Sequence, residues 1–200
     1  MIRMSLALVA FLASTLAAMA APQVGRPAPA FAAVDSNGKP HALRDFRGKT
    51  VVLEWTNDGC PYVQKHYATG NMQNLQRSLT SEGVVWLSVI SSAPGKQGHV
   101  DGRGANELTA SRGAAPTAVL LDPRGIMGRA YDAKTTPHMF VIDGRGILRY
   151  MGAIDDKPVT DKASVNGARN YVREAVAAIK AGRPVRTAAT DAYGCSVKYP

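Results

Sequence analysis

The chain of 200 residues carries two thiols, Cys60 and Cys195. Cys60 ends the turn-forming run Asn57-Asp58-Gly59, which follows the β-rich stretch Thr50–Trp55, and Pro61 comes directly after it. Proline is favoured in the first turn of a helix, so Cys60 is expected where a loop becomes a helix. There the unpaired N–H groups and the positive end of the helix dipole favour thiolate over thiol. Cysteines so placed have pKa values as low as about 3.5–7.5, and the thiolate is the form that attacks disulfides or peroxides. The alternative is an inert core cysteine. Core cysteines lie within apolar runs, whereas Asn-Asp-Gly-Cys-Pro is polar. Asp58 works the other way, raising the thiol pKa if its charge faces the sulfur.

The elements that must hold this residue follow from the hydrophobic pattern. Phe31 to Leu43 reads as a hairpin turning at Ser36-Asn37-Gly38. Strand alternation puts Val52, Glu54 and Thr56 on one face of the next strand and Val51, Leu53 and Trp55 on the other. The helix from Cys60-Pro61 is interrupted at Gly70-Asn71, and Met72, Leu75 and Leu79 form one helical face beyond it. Val84–Ile90 is a strand. Residues 91–104, with no apolar period, read as a loop, and Asn106–Arg112 as a short helix. Ala118–Leu121, His138–Ile142 and Ile147–Tyr150 are strands, the last two joined by the turn Asp143-Gly144-Arg145-Gly146. Val165, Ala168, Val172, Ala175, Val176 and Ile179 mark a closing helix with Gly182 past its end. Strands alternating with helices imply an α/β fold, a central mixed sheet covered by helices on both faces, with an N-terminal hairpin.

The two ends of the chain differ from this middle. Arg3, the uncharged apolar run Ser5–Leu16 and the triplet Ala18-Met19-Ala20 have the layout of a secretory signal peptide cut after Ala20. The run is short and Ala-rich, where a membrane span needs about 20 strongly apolar residues. Residues 1–20 are therefore expected to be removed, leaving no stable membrane anchor and a periplasmic or secreted product. The domain proper is expected over residues 21–182, and residues 183–200 form a tail carrying Cys195. That tail is polar until Tyr193, Cys195, Val197 and Tyr199, an alternating set that should dock as an extended strand.

Composition narrows the partners. The formal net charge is +9, but Lys and Arg are scattered among acids without interleaved aromatics, which argues against nucleic acid. Gly95-Lys96-Gln97 lacks the pattern of a phosphate loop, and nothing in the chain calls for a cofactor or a resident metal.

Val24-Gly25-Arg26-Pro27-Ala28-Pro29-Ala30-Phe31, Asn37-Gly38-Lys39, Leu43 and Gly48-Lys49 open a longer pattern. It continues through Leu121-Asp122-Pro123-Arg124-Gly125, Tyr131, Thr136-Pro137 and Ile142-Asp143-Gly144-Arg145-Gly146. Over residues 24–154 the chain resembles the redoxins, the alkyl hydroperoxide reductase/thiol-specific antioxidant members of the thioredoxin superfamily. Cys60-Pro61-Tyr62-Val63, Lys65-His66-Tyr67, Asn71-Met72-Gln73 and the terminal Tyr-Gly-Cys-Ser-Val-Lys-Tyr resemble a peroxiredoxin-like subgroup of exported bacterial proteins. The resemblance implies a thioredoxin-like fold and a redox-active Cys60. It implies that Thr136-Pro137 is the cis-proline loop facing that cysteine, whose backbone pairs with an extended substrate. It also implies that Glu54 is the buried acid serving as proton relay.

Two departures bear on the chemistry. Val63 stands where thioredoxins carry the second cysteine of Cys-x-x-Cys. The peroxiredoxin frame Pro-x-x-x-Thr-x-x-Cys, ended at Cys60, puts Leu53 and Asn57 at its proline and threonine; ended at Val63, it puts Thr56 and Cys60 there with no final cysteine. Efficient peroxide turnover is therefore not expected. The leading expectation is an exported thiol–disulfide oxidoreductase acting on a protein or small-molecule disulfide and reset by a thiol reductant, with Cys60 as nucleophile and Cys195 either its resolving partner or absent from turnover. The alternatives are a binding module stapled by a permanent Cys60–Cys195 bond and a metallochaperone using Cys60 and His138. His66 shares a helix face with Tyr62 and reads as partner packing.

Overall fold

The β-branched and aromatic run Val51–Trp55 forms strand β3, buried along its whole length at the centre of the molecule. The computed structural model describes residues 21–200; the expected leader, residues 1–20, lies outside the described residues. Around β3 a seven-stranded sheet has the order β2-β1-β5-β4-β3-β7-β8, built from Ala32–Asp35 (β1), Pro40–Ala42 (β2), Val85–Ile90 (β4), Ala118–Leu121 (β5), His138–Ile142 (β7) and Leu148–Gly152 (β8). Strands β3, β4 and β5 run parallel; β7 pairs antiparallel with β3, and β1 antiparallel with β5. The sheet is thus mixed, and the N-terminal hairpin β1–β2 is its edge rather than an appendage.

The alternation of β3 sets the two core layers. Val52 faces a cluster with Cys60, Val63, Tyr67, Met72, Leu75, Leu79 and Val176. These come from α1 (Pro61–Ala68), α2 (Asn71–Ser81) and α5 (Tyr171–Lys180). Val51, Leu53 and Trp55 face the other layer with Phe31, Met127, Tyr131 and Phe140, where the covering helix is the short α4 (Ile126–Ala130). The remaining helix, α3 (Gly102–Ser111), packs Ala105 against Ile90 and Val119. None of the helices among the described residues is long and apolar enough to cross a membrane.

Three element boundaries differ from the sequence reading. The closing helix begins at Tyr171, because Asn170 accepts the Arg173 amide at 2.9 Å as an N-cap; Val165 belongs instead to a separate 3-10 turn, Lys162–Val165. Helix α3 begins four residues before Asn106, its first turn capped by Asp101 accepting the Gly104 amide at 2.8 Å. Helix α4 was not expected at all. Its start is held by Asp122, whose carboxylate accepts the amides of Met127 at 3.2 Å and Gly128 at 2.8 Å.

The tail returns across the domain. Cys195–Ser196 (β9) pairs antiparallel with Thr135–Thr136 (β6), in a two-stranded sheet of their own. Beyond it Val197 donates its amide to Lys134 O at 3.0 Å, and the Tyr199 hydroxyl donates to Ala133 O at 2.7 Å.

Candidate active site

Cys60 is the N-cap of α1, with extended backbone (φ −88°, ψ 121°) and Pro61 at the first helical position. The loop before it is fixed by side chains: the Asn57 Oδ1 accepts the Gly59 amide at 2.9 Å, and Gln97 donates to Gly59 O at 3.0 Å. The Cys60 sulfur is fully buried and lies 3.0 Å from the Thr136 carbonyl oxygen, to which the thiol donates. The Thr136-Pro137 peptide bond is cis, as the resemblance implied.

Burial alone would push the Cys60 thiol up. The polar groups around it, the Cys195 thiol first, then the Val63 amide, the Cys195 amide and the Thr136 side chain, outweigh burial, and the pKa falls below its ordinary value. Val63 is the third residue of α1, so its amide is one of the first-turn N–H groups without a helical partner, and the Cys60 side chain forms no cap hydrogen bond. Asp58 does not oppose this. Its carboxylate pairs with Arg112 at 3.4 Å.

Cys195 reaches this sulfur from across the sheet. In the ladder between β6 and β9 its Cα is the register partner of Thr136, whose carbonyl oxygen accepts from Cys60, which brings the two thiols near enough to shift one another. Both thiols are free. Burial raises the Cys195 pKa, the Cys60 hydrogen bond and charge raise it further, and it stands at about 11. One sulfur is thus held ready to lose its proton and its neighbour to keep one.

Glu54 lies fully buried beneath α1, on the same sheet face as Val52. Its carboxylate accepts hydrogen bonds from the Tyr67 hydroxyl at 2.8 Å, Gln76 at 3.1 Å, Trp86 Nε1 at 2.8 Å and the Ser88 hydroxyl at 2.9 Å. Burial raises its pKa, only partly countered by these donors. Its hydrogen bonds reach neither sulfur. His138 is not brought to Cys60. It shares the opposite layer with Phe140, ring centroids 4.4 Å apart, and its Nδ1 faces the Lys134 amide at 3.3 Å. No group of three or more His, Cys, Asp or Glu side chains that could hold a metal occurs among the described residues.

The family model described as AhpC/TSA matches residues 24–151. The chain belongs to the AhpC/TSA family. Solved structures similar to it include a hypothetical protein of Sinorhizobium meliloti 1021, at TM-score 0.75 and 20% identity, covering 90% of this chain and 97% of that one. An uncharacterized conserved protein of Geobacillus kaustophilus gives TM-score 0.75 at 24% identity, covering 89% and 93%. A putative thiol:disulfide interchange protein DsbE of Chlorobium tepidum gives TM-score 0.53 at 24% identity, covering 66% and 85%. These likenesses show a thioredoxin-like redoxin fold. No curated protein sequence matches. Asn57, at the threonine position only if the peroxiredoxin frame is ended at Cys60, has its amide committed to loop contacts, including a donation to Gln97 O at 3.3 Å.

The site also contains Asp155, which the sequence did not single out, and a meeting of residues it named separately. Tyr193, two residues before Cys195, lies tilted against Tyr62 with centroids 5.7 Å apart, and Lys65 Nζ stands 5.3 Å over its ring. The Tyr193 hydroxyl donates to Asp155 and lies 3.3 Å from His66 Nε2. Burial lowers the His66 pKa to about 4. Lys65 is itself buried, donating to Lys157 O at 2.8 Å. The helix spacing of Tyr62 and His66, the alternating tail set that includes Tyr193 and the subgroup motifs marked its other members; Asp155 lies in a loop with no periodicity to mark it.

Proposed function

We propose that the protein is an exported thiol–disulfide oxidoreductase in which Cys60 is the nucleophile and Cys195 the resolving thiol. The observation carrying this reading is that the β6–β9 register sets Cys195 opposite Thr136, whose carbonyl accepts from the Cys60 thiol, so that two free thiols meet with pKa values shifted in opposite directions. In the first step the Cys60 thiolate attacks a substrate disulfide. A Cys60–substrate S–S bond forms, the substrate S–S bond breaks, and one substrate sulfur leaves as thiolate. Cys60 is then uncharged, which removes two of the three influences holding the Cys195 proton in place. Cys195 gives up that proton to the departing thiolate and attacks the Cys60 sulfur. The second substrate sulfur leaves, and the Cys60–Cys195 disulfide remains. Two electrons have passed to the substrate, and an external dithiol reductant returns them to the protein. Thr136 and Pro137 present the backbone along which substrate lies once the tail strand Cys195–Ser196 moves off it, and the tail returns Cys195 for the second step. Glu54 acts as a positioning residue, through Tyr67 on the helix that Cys60 caps. Export rests on the Arg3, apolar-run and Ala18-x-Ala20 layout, and N-terminal sequencing of the secreted product should begin at Ala21.

The test mixes fully reduced protein with a disulfide-bonded peptide, quenches in acid and maps the products by mass spectrometry. The wild type should accumulate the Cys60–Cys195 bond and Cys195→Ser a Cys60–peptide mixed disulfide. An unreacted peptide disulfide at equilibrium with fully reduced protein overturns the reading. The stapled-module alternative predicts a potential for the pair below about −300 mV. Peroxide should oxidise Cys60 far more slowly than it does dedicated peroxidases, because neither register of the peroxiredoxin frame sets a threonine hydroxyl before a cysteine to polarise it; stopped-flow fluorescence checks this.

A further inference from the structure

Strand β6 pairs only with β9, so the residues that deliver Cys195 also occupy the backbone edge beside the cis-proline. What those residues are, and what holds each, describes a recognition pattern. We infer that this groove is a docking site for an extended peptide of the pattern tyrosine–glycine–cysteine whose cysteine is in a disulfide, and that residues 193–195 fill it as an internal stand-in. The inference rests on the thiol–disulfide reading above and adds the substrate class.

Three positions carry it. The cysteine is fixed by register, Cys195 opposite Thr136 and Ser196 opposite Thr135 in an antiparallel ladder; main-chain pairing of this kind gives affinity without regard to sequence. The residue before the cysteine must be glycine. Gly194 has φ +138°, and a Cβ there would lie 2.0 Å from Thr136 O and 2.7 Å from its carbonyl carbon, both backbone atoms that cannot swing away. The residue before that is a tyrosine in a pocket made by the domain, not the tail. Tyr62 and Lys65 flank the ring, and Asp155 and His66 take the hydroxyl. Lys65, His66 and Asp155 are 1%, 0% and 2% exposed. Asp155 Oδ2 has no hydrogen-bond partner and stands 3.9 Å from His66 Nε2, so the pocket holds more polar capacity than the Tyr193 hydroxyl uses. A phenol satisfies this lining better than a phenyl ring does. The position after the cysteine is not selected, because Ser196 is exposed.

The reaction at this site is the first step above. Cys60 forms a bond to the peptide cysteine, the peptide's own S–S bond breaks, and the partner sulfur leaves with the electron pair. With thionitrobenzoate as that partner, the released thiolate is coloured and the rate is read directly. The full-length chain is used in two variants that loosen the tail: Gly194→Val, which drives a side chain into Thr136 O, and Tyr193→Ala, which empties the pocket without altering the backbone. Each is mixed with the thionitrobenzoate disulfides of Ala-Tyr-Gly-Cys-Ser, Ala-Ala-Gly-Cys-Ser, Ala-Tyr-Val-Cys-Ser and cysteamine. The Tyr-Gly-Cys peptide should react about tenfold faster than either altered peptide in both variants, the order expected for losing one packed aromatic or adding one backbone clash. Equal rates for the three peptides, with cysteamine disulfide still consumed, overturn the docking inference and leave the thiol chemistry standing. Failure of all four probes overturns both. A covalent dimer of Gly194→Val through Cys195 would make the occupant a second copy of the chain, and also overturns the inference.

Discussion

The charge on one sulfur is held by the proton on another. Of the groups that lower the Cys60 pKa, the Cys195 thiol is the largest, and it can act as a donor only while it keeps its own proton. Cys195→Ala removes that donor while leaving the Val63 amide in place. The alkylation midpoint of Cys60, measured as rate against pH with iodoacetamide, should therefore rise toward that of an ordinary thiol. Cys195→Ser, which keeps a hydroxyl donor, should recover part of the shift. An unchanged midpoint in the alanine variant would mean that the helix end alone sets the pKa. Cys60 was legible in the sequence because its immediate neighbours Gly59 and Pro61 mark it, whereas the cis bond at Thr136-Pro137 was legible only through the family resemblance, since a threonine and a proline before a strand are equally compatible with a trans loop. The ring pocket of Tyr193 was not legible. It joins residues 127 and 38 positions apart, His66 and Asp155, to that ring, and no local pattern encodes such a meeting.

At the scale of elements, helix α1 is what aims the site, and it is anchored from beneath. Tyr67 in its last turn donates to Glu54 on β3 at 2.8 Å, and Arg112 stands 4.2 Å over the same ring. Tyr67→Phe leaves a buried carboxylate short of one donor and should lower the unfolding free energy by about 1–3 kcal/mol, read from urea denaturation. Its effect on exchange should follow the angle of the helix, slowing peptide disulfides more than small ones. Strand faces were easy to read because a period of two leaves no ambiguity once one face is buried: Val52 and Glu54 against Val51, Leu53 and Trp55. Helix ends were harder. The apolar spacing of Val165 and Ala168 continues that of α5, but Gly167 has φ +69° and Asn170 caps the next turn, so backbone chemistry overrides the pattern. Helix α4 is five residues long and opens on a glycine, too short for any periodicity to show.

For the whole molecule, acid and oxidation act on stability in opposite directions. His66 and His138 are buried neutral, each with its pKa lowered by burial to about 4. Between about pH 4 and 6.5 the unfolded chain therefore binds more protons than the folded one, and stability rises with pH through that window. On acidification from neutrality it is lost progressively, by up to about 3 kcal/mol for each histidine. Glu54 contributes with the other sign, because its raised pKa stabilises the fold below its unfolded value and the contribution is lost as pH rises through the folded one. The urea midpoint should fall from pH 7 to pH 4.5, and His66→Gln should flatten that slope. Oxidation closes a loop of more than about a hundred residues between Cys60 and Cys195, worth about 4–5 kcal/mol in the chain-entropy account. Oxidised protein should melt well above reduced protein in calorimetry, and Cys195→Ser should lose the difference.

The network under the thiol also has an optical consequence. The chain has two tryptophans, Trp55 and Trp86, and both indoles are fully buried. They sit in opposite layers. Trp55 donates to the Ser91 hydroxyl at 3.0 Å among Tyr131 and Phe140, away from the sulfurs. Trp86 donates to Glu54, the carboxylate that also holds Tyr67 and so the helix capped by Cys60. Its excited-state dipole therefore feels the charge on Glu54 and any shift of α1, while Trp55 serves as an internal reference. Unlabelled protein should change its emission when the thiols are oxidised. Trp86→Phe should abolish that change and Trp55→Phe should sharpen it, making the fluorescence of the native chain a gauge of its own redox state.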